Sequence, residues 1–94
     1  VIKDNIDSDN DWQQFKLHFE EVHIGFFDNL KTNYPGLTQN ELKLCAYLRI
    51  NLSSKEIAQM LHNTSDTINK SRYRLRKKLN LSNEDDLIEF IRNV

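Results

Sequence analysis

Thr64-Ser65-Asp66-Thr67-Ile68-Asn69-Lys70-Ser71-Arg72-Tyr73-Arg74-Leu75-Arg76-Lys77-Lys78-Leu79 reads as one short amphipathic helix, with apolar residues at 68, 75 and 79 and six basic residues set around them. With Ile68 at zero and roughly 100° per residue, Leu75 and Leu79 fall within roughly 20° of it and mark an inward face. Asp66, Lys70, Tyr73 and Lys77 lie opposite, with Asn69 and Arg74 on the shoulders. Arg72 sits roughly 40° from the core axis, so its stem is expected to pack inward while its guanidinium pairs with Glu56 or a neighbour, or reaches phosphate.

Working outward, two more helix starts precede this one. Thr38-Gln39-Asn40-Glu41 and Ser53-Ser54-Lys55-Glu56 each place a hydroxyl before a helix and a Glu three residues later, and Thr64 offers a third cap. The first start predicts a helix burying Leu42, Cys45, Ala46, Leu48 and Tyr47 and ending near Ile50-Asn51. The second predicts barely two turns carrying Ile57, Ala58, Met60 and Leu61. About three residues then lead to the third helix, which is the spacing of a crossed helix pair, a helix-turn-helix. A further helix, capped by Ser82, carries Leu87, Ile88, Phe90, Ile91 and Val94.

Upstream, Trp12, Phe15, Phe19, Val22 and Phe26 step by three and four and continue through Phe27 and Leu30 to Tyr34, an amphipathic helix that Gly25 can divide and Pro35-Gly36 ends. Such a stripe is a packing face before it is a ligand box. The expected organisation is all-α: residues 1–10 as a linker or frayed end, 11–36 as a helical extension, and 37–94 as the helix-turn-helix bundle.

The formal charge of −1 conceals strong segregation. Residues 1–36 carry three basic and seven acidic side chains, a net of −4, and residues 82–94 carry a net of −3. Residues 37–81 set nine basic side chains against three acidic ones, a net of +6. That middle is matched to a polyanion and the flanks are not.

Enzymatic chemistry finds no footing. Glu20-Glu21 and Asp85-Asp86 diverge on a helix and cannot act as facing pairs. His18 and His23 are five apart, His62 stands in a turn, and no Cys/His group has metal-ligand spacing, so no metal or cofactor is expected. Cys45 sits among Leu44, Ala46 and Leu48 as a small core residue. Two glycines cannot build a phosphate loop. One cysteine without a disulfide partner suits a reducing compartment, the cytoplasm, and no apolar run approaches the roughly 20 residues of a membrane span. Val1 in place of an initiator Met suggests an excised part of a longer chain.

Leu37-Thr38, Glu41, Leu52-Ser53, Lys55-Glu56-Ile57-Ala58, Leu61, Thr67-Ile68 and Lys78-Leu79 together resemble the LuxR/GerE-type DNA-binding domain over somewhat more than half of the chain. Trp12 to Tyr34 is similar to the segment before this domain in bacterial regulators with an upstream sensor and coiled coil. The resemblance implies a transcriptional regulator that binds duplex DNA as a homodimer, with sensing done upstream in the same chain. The chain departs from the family at Asn63, Asn69, Ser71 and Arg72, where Ile or Val, Lys, His and Val are usual.

Recognition helices read bases from their N-terminal residues, so Asn69, Lys70, Tyr73 and Arg74 are the base-contact candidates. Phosphate contacts are assigned to Ser53, Ser54, Lys55, Thr67, Arg76, Lys77 and Lys78, although the hydroxyls can equally act as caps. A two-fold protein calls for an inverted repeat, with the dimer held by Leu87, Ile88, Ile91 and Val94 or by the Trp12 stripe. The competing class is a protein-interaction module that uses the basic helix or the aromatic N-terminal helix.

Overall fold

The computed structural model describes the backbone of residues 2–94 and the side chains of residues 11–94. Six helices follow one another: α1 (Ile2–Val22), α2 (Phe26–Asn33), α3 (Gln39–Arg49), α4 (Ser54–Met60), α5 (Ser65–Lys78) and α6 (Glu84–Arg92). No strand occurs among the described residues. The backbone of residues 2–10, read from the sequence as a linker or frayed end, is instead helical and opens α1, while the side chains of residues 1–10 lie outside the described set.

The helix starts follow from side-chain chemistry. Thr38 and Ser53 close complete capping boxes, each hydroxyl accepting from the N–H three residues on while Glu41 or Glu56 accepts from the cap N–H at 2.8 or 2.9 Å. Thr64 accepts from Thr67 N–H at 3.2 Å. The sixth helix corrects the expectation for Ser82: Asn83 caps it, accepting from Asp86 N–H at 3.0 Å. Ser82 Oγ instead donates to the Asp86 carboxylate.

The helix stops share one device. Asn51, His62 and Asn80 take left-handed φ of 68°, 55° and 64° just past α3, α4 and α5. After each, an N–H reaches back five residues: Leu52 to Tyr47 O (3.2 Å), Asn63 to Ala58 O (2.8 Å) and Leu81 to Arg76 O (3.0 Å). These Schellman closures satisfy carbonyls that a bare helix end leaves open. Gly25, at φ +79°, makes the remaining break between α1 and α2.

α3 is the axle of the bundle. Leu42 and Leu44 to Leu48 are all buried, because the N-terminal helices cover one side and α5 and α6 the others. Trp12, Phe15, Phe19, Phe26, Phe27 and Tyr47 form a continuous aromatic cluster with ring centroids 5.0–6.1 Å apart. Tyr34 meets Phe90 edge-on at 5.7 Å and ties the end of α2 to α6. Most of the Trp12 stripe is therefore core, with Phe15 partly buried against it and one residue turned outward. Val22, at the last position of α1, is 75% exposed. Met60, grouped with the apolar residues of α4, is also turned outward and 47% exposed.

One further expectation is corrected here. Leu87 and Ile91 were assigned to a dimer interface, but both are fully buried in the domain's own core. Only Ile88 and Val94, partly buried at its margin, remain of that set. Cys45 is fully buried, and burial with the nearby Glu41 carboxylate pushes its thiol up to about 12, so it stays protonated and unreactive.

Candidate nucleic-acid interface

Ile57, Ala58, Ile68 and Leu75 are buried where α4 and α5 cross, and the small Ala58 side chain allows close approach. Burying Ile68, Leu75 and Leu79 rotates the rest of α5 outward. Asn69, Lys70, Tyr73, Arg74 and Lys77 are all exposed, as the helical angles require. Tyr73 lies between two cations, with the Arg76 guanidinium 5.1 Å and the Lys77 ammonium 5.3 Å from its ring centre. Arg76, Lys77 and Lys78 also occupy the last turn of α5, where positive charge complements the helix dipole.

The basic residues divide into two sets. Arg72, Arg76 and Lys78 have carboxylate partners within the fold. Arg72, 15% exposed, donates from Nε to Glu84 at 2.6 Å, from Nη2 to the same carboxylate, and from Nη1 to Ser54 Oγ at 2.9 Å. Arg76 stands 3.6 Å from the other Glu84 oxygen. Lys78 donates to Glu41 at 2.8 Å and to Gly36 O at 3.3 Å, tying the end of α5 to the capping box of α3. Burial would raise the Glu41 pKa, but the hydrogen bonds from Lys78 and the Thr38 N–H outweigh it and hold the carboxyl below its ordinary value. Lys70, Arg74, Lys77 and, on α4, Lys55 are exposed, and no ion pair among the described residues includes them.

Sequence reasoning foresaw the buried stem of Arg72 but not its partner. Glu56 is turned back onto Ser53, whose backbone N–H and hydroxyl lower its pKa. Glu84 takes the guanidinium instead, from the first turn of α6. An acid opening the helix that follows a basic helix was the available signal.

The hydroxyls assigned to phosphate, Ser53, Ser54 and Thr67, have structural employment, as does the neighbouring cap Thr64. Ser53 and Thr64 cap, Thr67 Oγ1 accepts from Thr64 at 3.0 Å, and Ser54 Oγ donates to Asn69 Oδ1 at 2.7 Å. A hollow of about 600 Å³ opens between α3, the α4–α5 turn and α5, floored by Leu44, Tyr47 and Ile68 and rimmed by Lys43, Arg74 and Lys78. Among the described residues no group of three or more His, Cys, Asp or Glu could hold a metal, and no helix is long and apolar enough to cross a membrane.

What remains is a helix pair whose second member presents amide, phenol, ammonium and guanidinium groups on one outward face, with its opposite face locked into a core. No curated protein and no solved structure matched the chain. The profile described as bacterial regulatory proteins, luxR family, matches residues 35–91, more than half of the sequence, and the chain therefore belongs to this family of DNA-binding transcription regulators.

Proposed function

We infer that the domain reads duplex DNA sequence-specifically as the output part of a bacterial transcriptional regulator, with α5 entering the major groove. The observation that carries this reading is the division of charge on α5: Lys70, Arg74 and Lys77 are exposed and in no ion pair among the described residues, while Arg72, Arg76 and Lys78 each pair with a carboxylate. Lys70, Tyr73, Arg74 and Asn69 are the base readers, since each type can donate to an acceptor on a base edge. Lys77 and Lys55, with the N–H groups opening α4, take phosphates. Arg76 contributes charge at short range, and Lys78 serves the fold. The DNA is expected to be an inverted repeat bound by a homodimer, with Ile88 and Val94 at the protein contact and further association supplied by sensor or coiled-coil segments of a longer chain. A regulator of this kind works in the bacterial cytoplasm.

The competing reading, an interaction module built on the aromatic helix, is disfavoured by the burial of Trp12, Phe19, Phe26 and Phe27. Selection from random duplexes, followed by titration at several salt concentrations, tests the proposal. A preferred inverted repeat, bound with a log–log salt slope of about −2 per half-site from the two phosphate-contacting lysines, supports it. Equal binding to all duplexes, or tighter binding to an acidic peptide, contradicts it.

A further inference from the structure

We propose that Ser54 and Arg72 set the base preference of Asn69 by fixing which end of its amide faces the DNA, so that Asn69 selects guanine over adenine. This inference rests on the reading of α5 as the major-groove helix and gives one of its residues a defined chemistry.

The relay begins at the Glu84 carboxylate, the first residue of α6, which holds the Arg72 guanidinium through Nε and Nη2. The remaining arm, Nη1, donates to Ser54 Oγ at 2.9 Å. A guanidinium only donates, so the serine oxygen is an acceptor in that bond and its single proton must seek an acceptor elsewhere. It meets Asn69 Oδ1 at 2.7 Å. The reverse arrangement, with the Asn69 amide donating to Ser54, would deprive the hydroxyl proton of this acceptor. Charge-assisted bonds at the Glu84 end make the direction of the whole chain the favourable one.

Asn69 is exposed on α5, in the part of the helix that reads bases. With Oδ1 bonded back to the first turn of α4, one of its two lone pairs is occupied and the amide is anchored by its oxygen end, so we take the two N–H donors of the other branch as the group offered to the DNA. An unconstrained asparagine reads adenine by accepting from N6 and donating to N7. A donor-only asparagine instead matches the two acceptors of guanine, N7 and O6, and is mismatched to the amino groups of adenine and cytosine.

The test compares duplexes selected by the full chain with those selected by Asn69→Ala, Ser54→Ala, Ser54→Thr and Asn69→Asp, at matched salt and with thermal melts confirming folding. Asn69→Ala should erase a roughly tenfold preference at one base pair, and in the unaltered chain that base is guanine. Ser54→Ala releases the amide and should move the preference at that pair toward adenine while other positions and the salt slope hold; Ser54→Thr keeps the hydroxyl and should keep guanine. Asn69→Asp still accepts from Ser54 but offers an acceptor outward, and should turn the preference toward the cytosine amino group. Adenine at that pair in the unaltered chain, an unchanged profile for Ser54→Ala, or no lost preference for Asn69→Ala overturns the relay. An unaltered chain that selects no duplex at all would instead refute the major-groove reading beneath it.

Discussion

Breaking the link between Arg72 and Glu84 should destabilise the domain cooperatively, because this pair joins α5 to α6 across the edge of the core. Arg72→Met is the apt perturbation, since it keeps an aliphatic stem and deletes the guanidinium, and Glu84→Gln removes the charge at the other end. Two bonds from Arg72 end on the carboxylate and a third on Ser54. Hydrogen bonds to charged groups contribute ~1.5–3 kcal/mol when sheltered, and exposed ion pairs ~0.2–1 kcal/mol. A guanidinium 15% exposed against a carboxylate 40% exposed lies between these limits, so a coupling energy of ~1–1.5 kcal/mol is expected. Each single substitution should cost about 2 kcal/mol, a fall in Tm of ~8–16 °C for a domain of this size. Thermal melts of both single variants and the double variant measure it, with Arg72→Met and Glu56→Ala as the uncoupled control. Additivity of Arg72→Met and Glu84→Gln within ~0.5 kcal/mol would refute the reasoning.

Gly25→Ala should destabilise the fold by ~1–2 kcal/mol through its left-handed φ alone, because the nearest atom to an added Cβ is 3.9 Å away; an unchanged urea midpoint would contradict this. The two lysines ending α5 should separate: Lys77→Ala lowers the salt slope of DNA binding by about one ion, whereas Lys78→Ala leaves the slope and lowers Tm, and the opposite pattern would exchange their roles. Glu41 should contribute an acid limb to stability. Its folded pKa is depressed, so its contribution is fully present above the unfolded value of about 4.5 and is lost as pH falls through the lower folded value. Chemical denaturation of Glu41→Gln across pH 6 to 3 should show that limb flattened, and a parallel loss in both proteins would exclude Glu41 as its source.

Helix starts were far more legible in the sequence than helix stops. Thr38, Ser53 and Thr64 announce their helices through local hydrogen bonds that depend on residues three positions apart. Asn51, His62 and Asn80 end theirs in the left-handed conformation without the glycine that usually marks it, so only the backbone reveals the closures. The outward face of α5 followed from periodicity, because Ile68, Leu75 and Leu79 fix the rotation of the helix. Which cations that face leaves available did not follow. The Lys78 bond to Glu41 spans 37 residues and the Arg72 bond to Glu84 joins two separate helices, and such pairings depend on how the helices pack. The same limit explains Leu87 and Ile91: an apolar stripe on the last helix looks alike whether it meets a second copy or its own core, and here α3 lies against it.

The central claim is that α5 reads bases through Lys70 and Arg74, and the most direct measurement is the affinity of Lys70→Ala and Arg74→Ala for a selected duplex and for its single base-pair variants at fixed salt. Each substitution should weaken binding to the selected duplex by ~1–3 kcal/mol and flatten the preference at one base pair, leaving the other positions unchanged. If both proteins instead lose affinity equally for every duplex, with all base preferences intact, these side chains hold only phosphate and the claim is wrong.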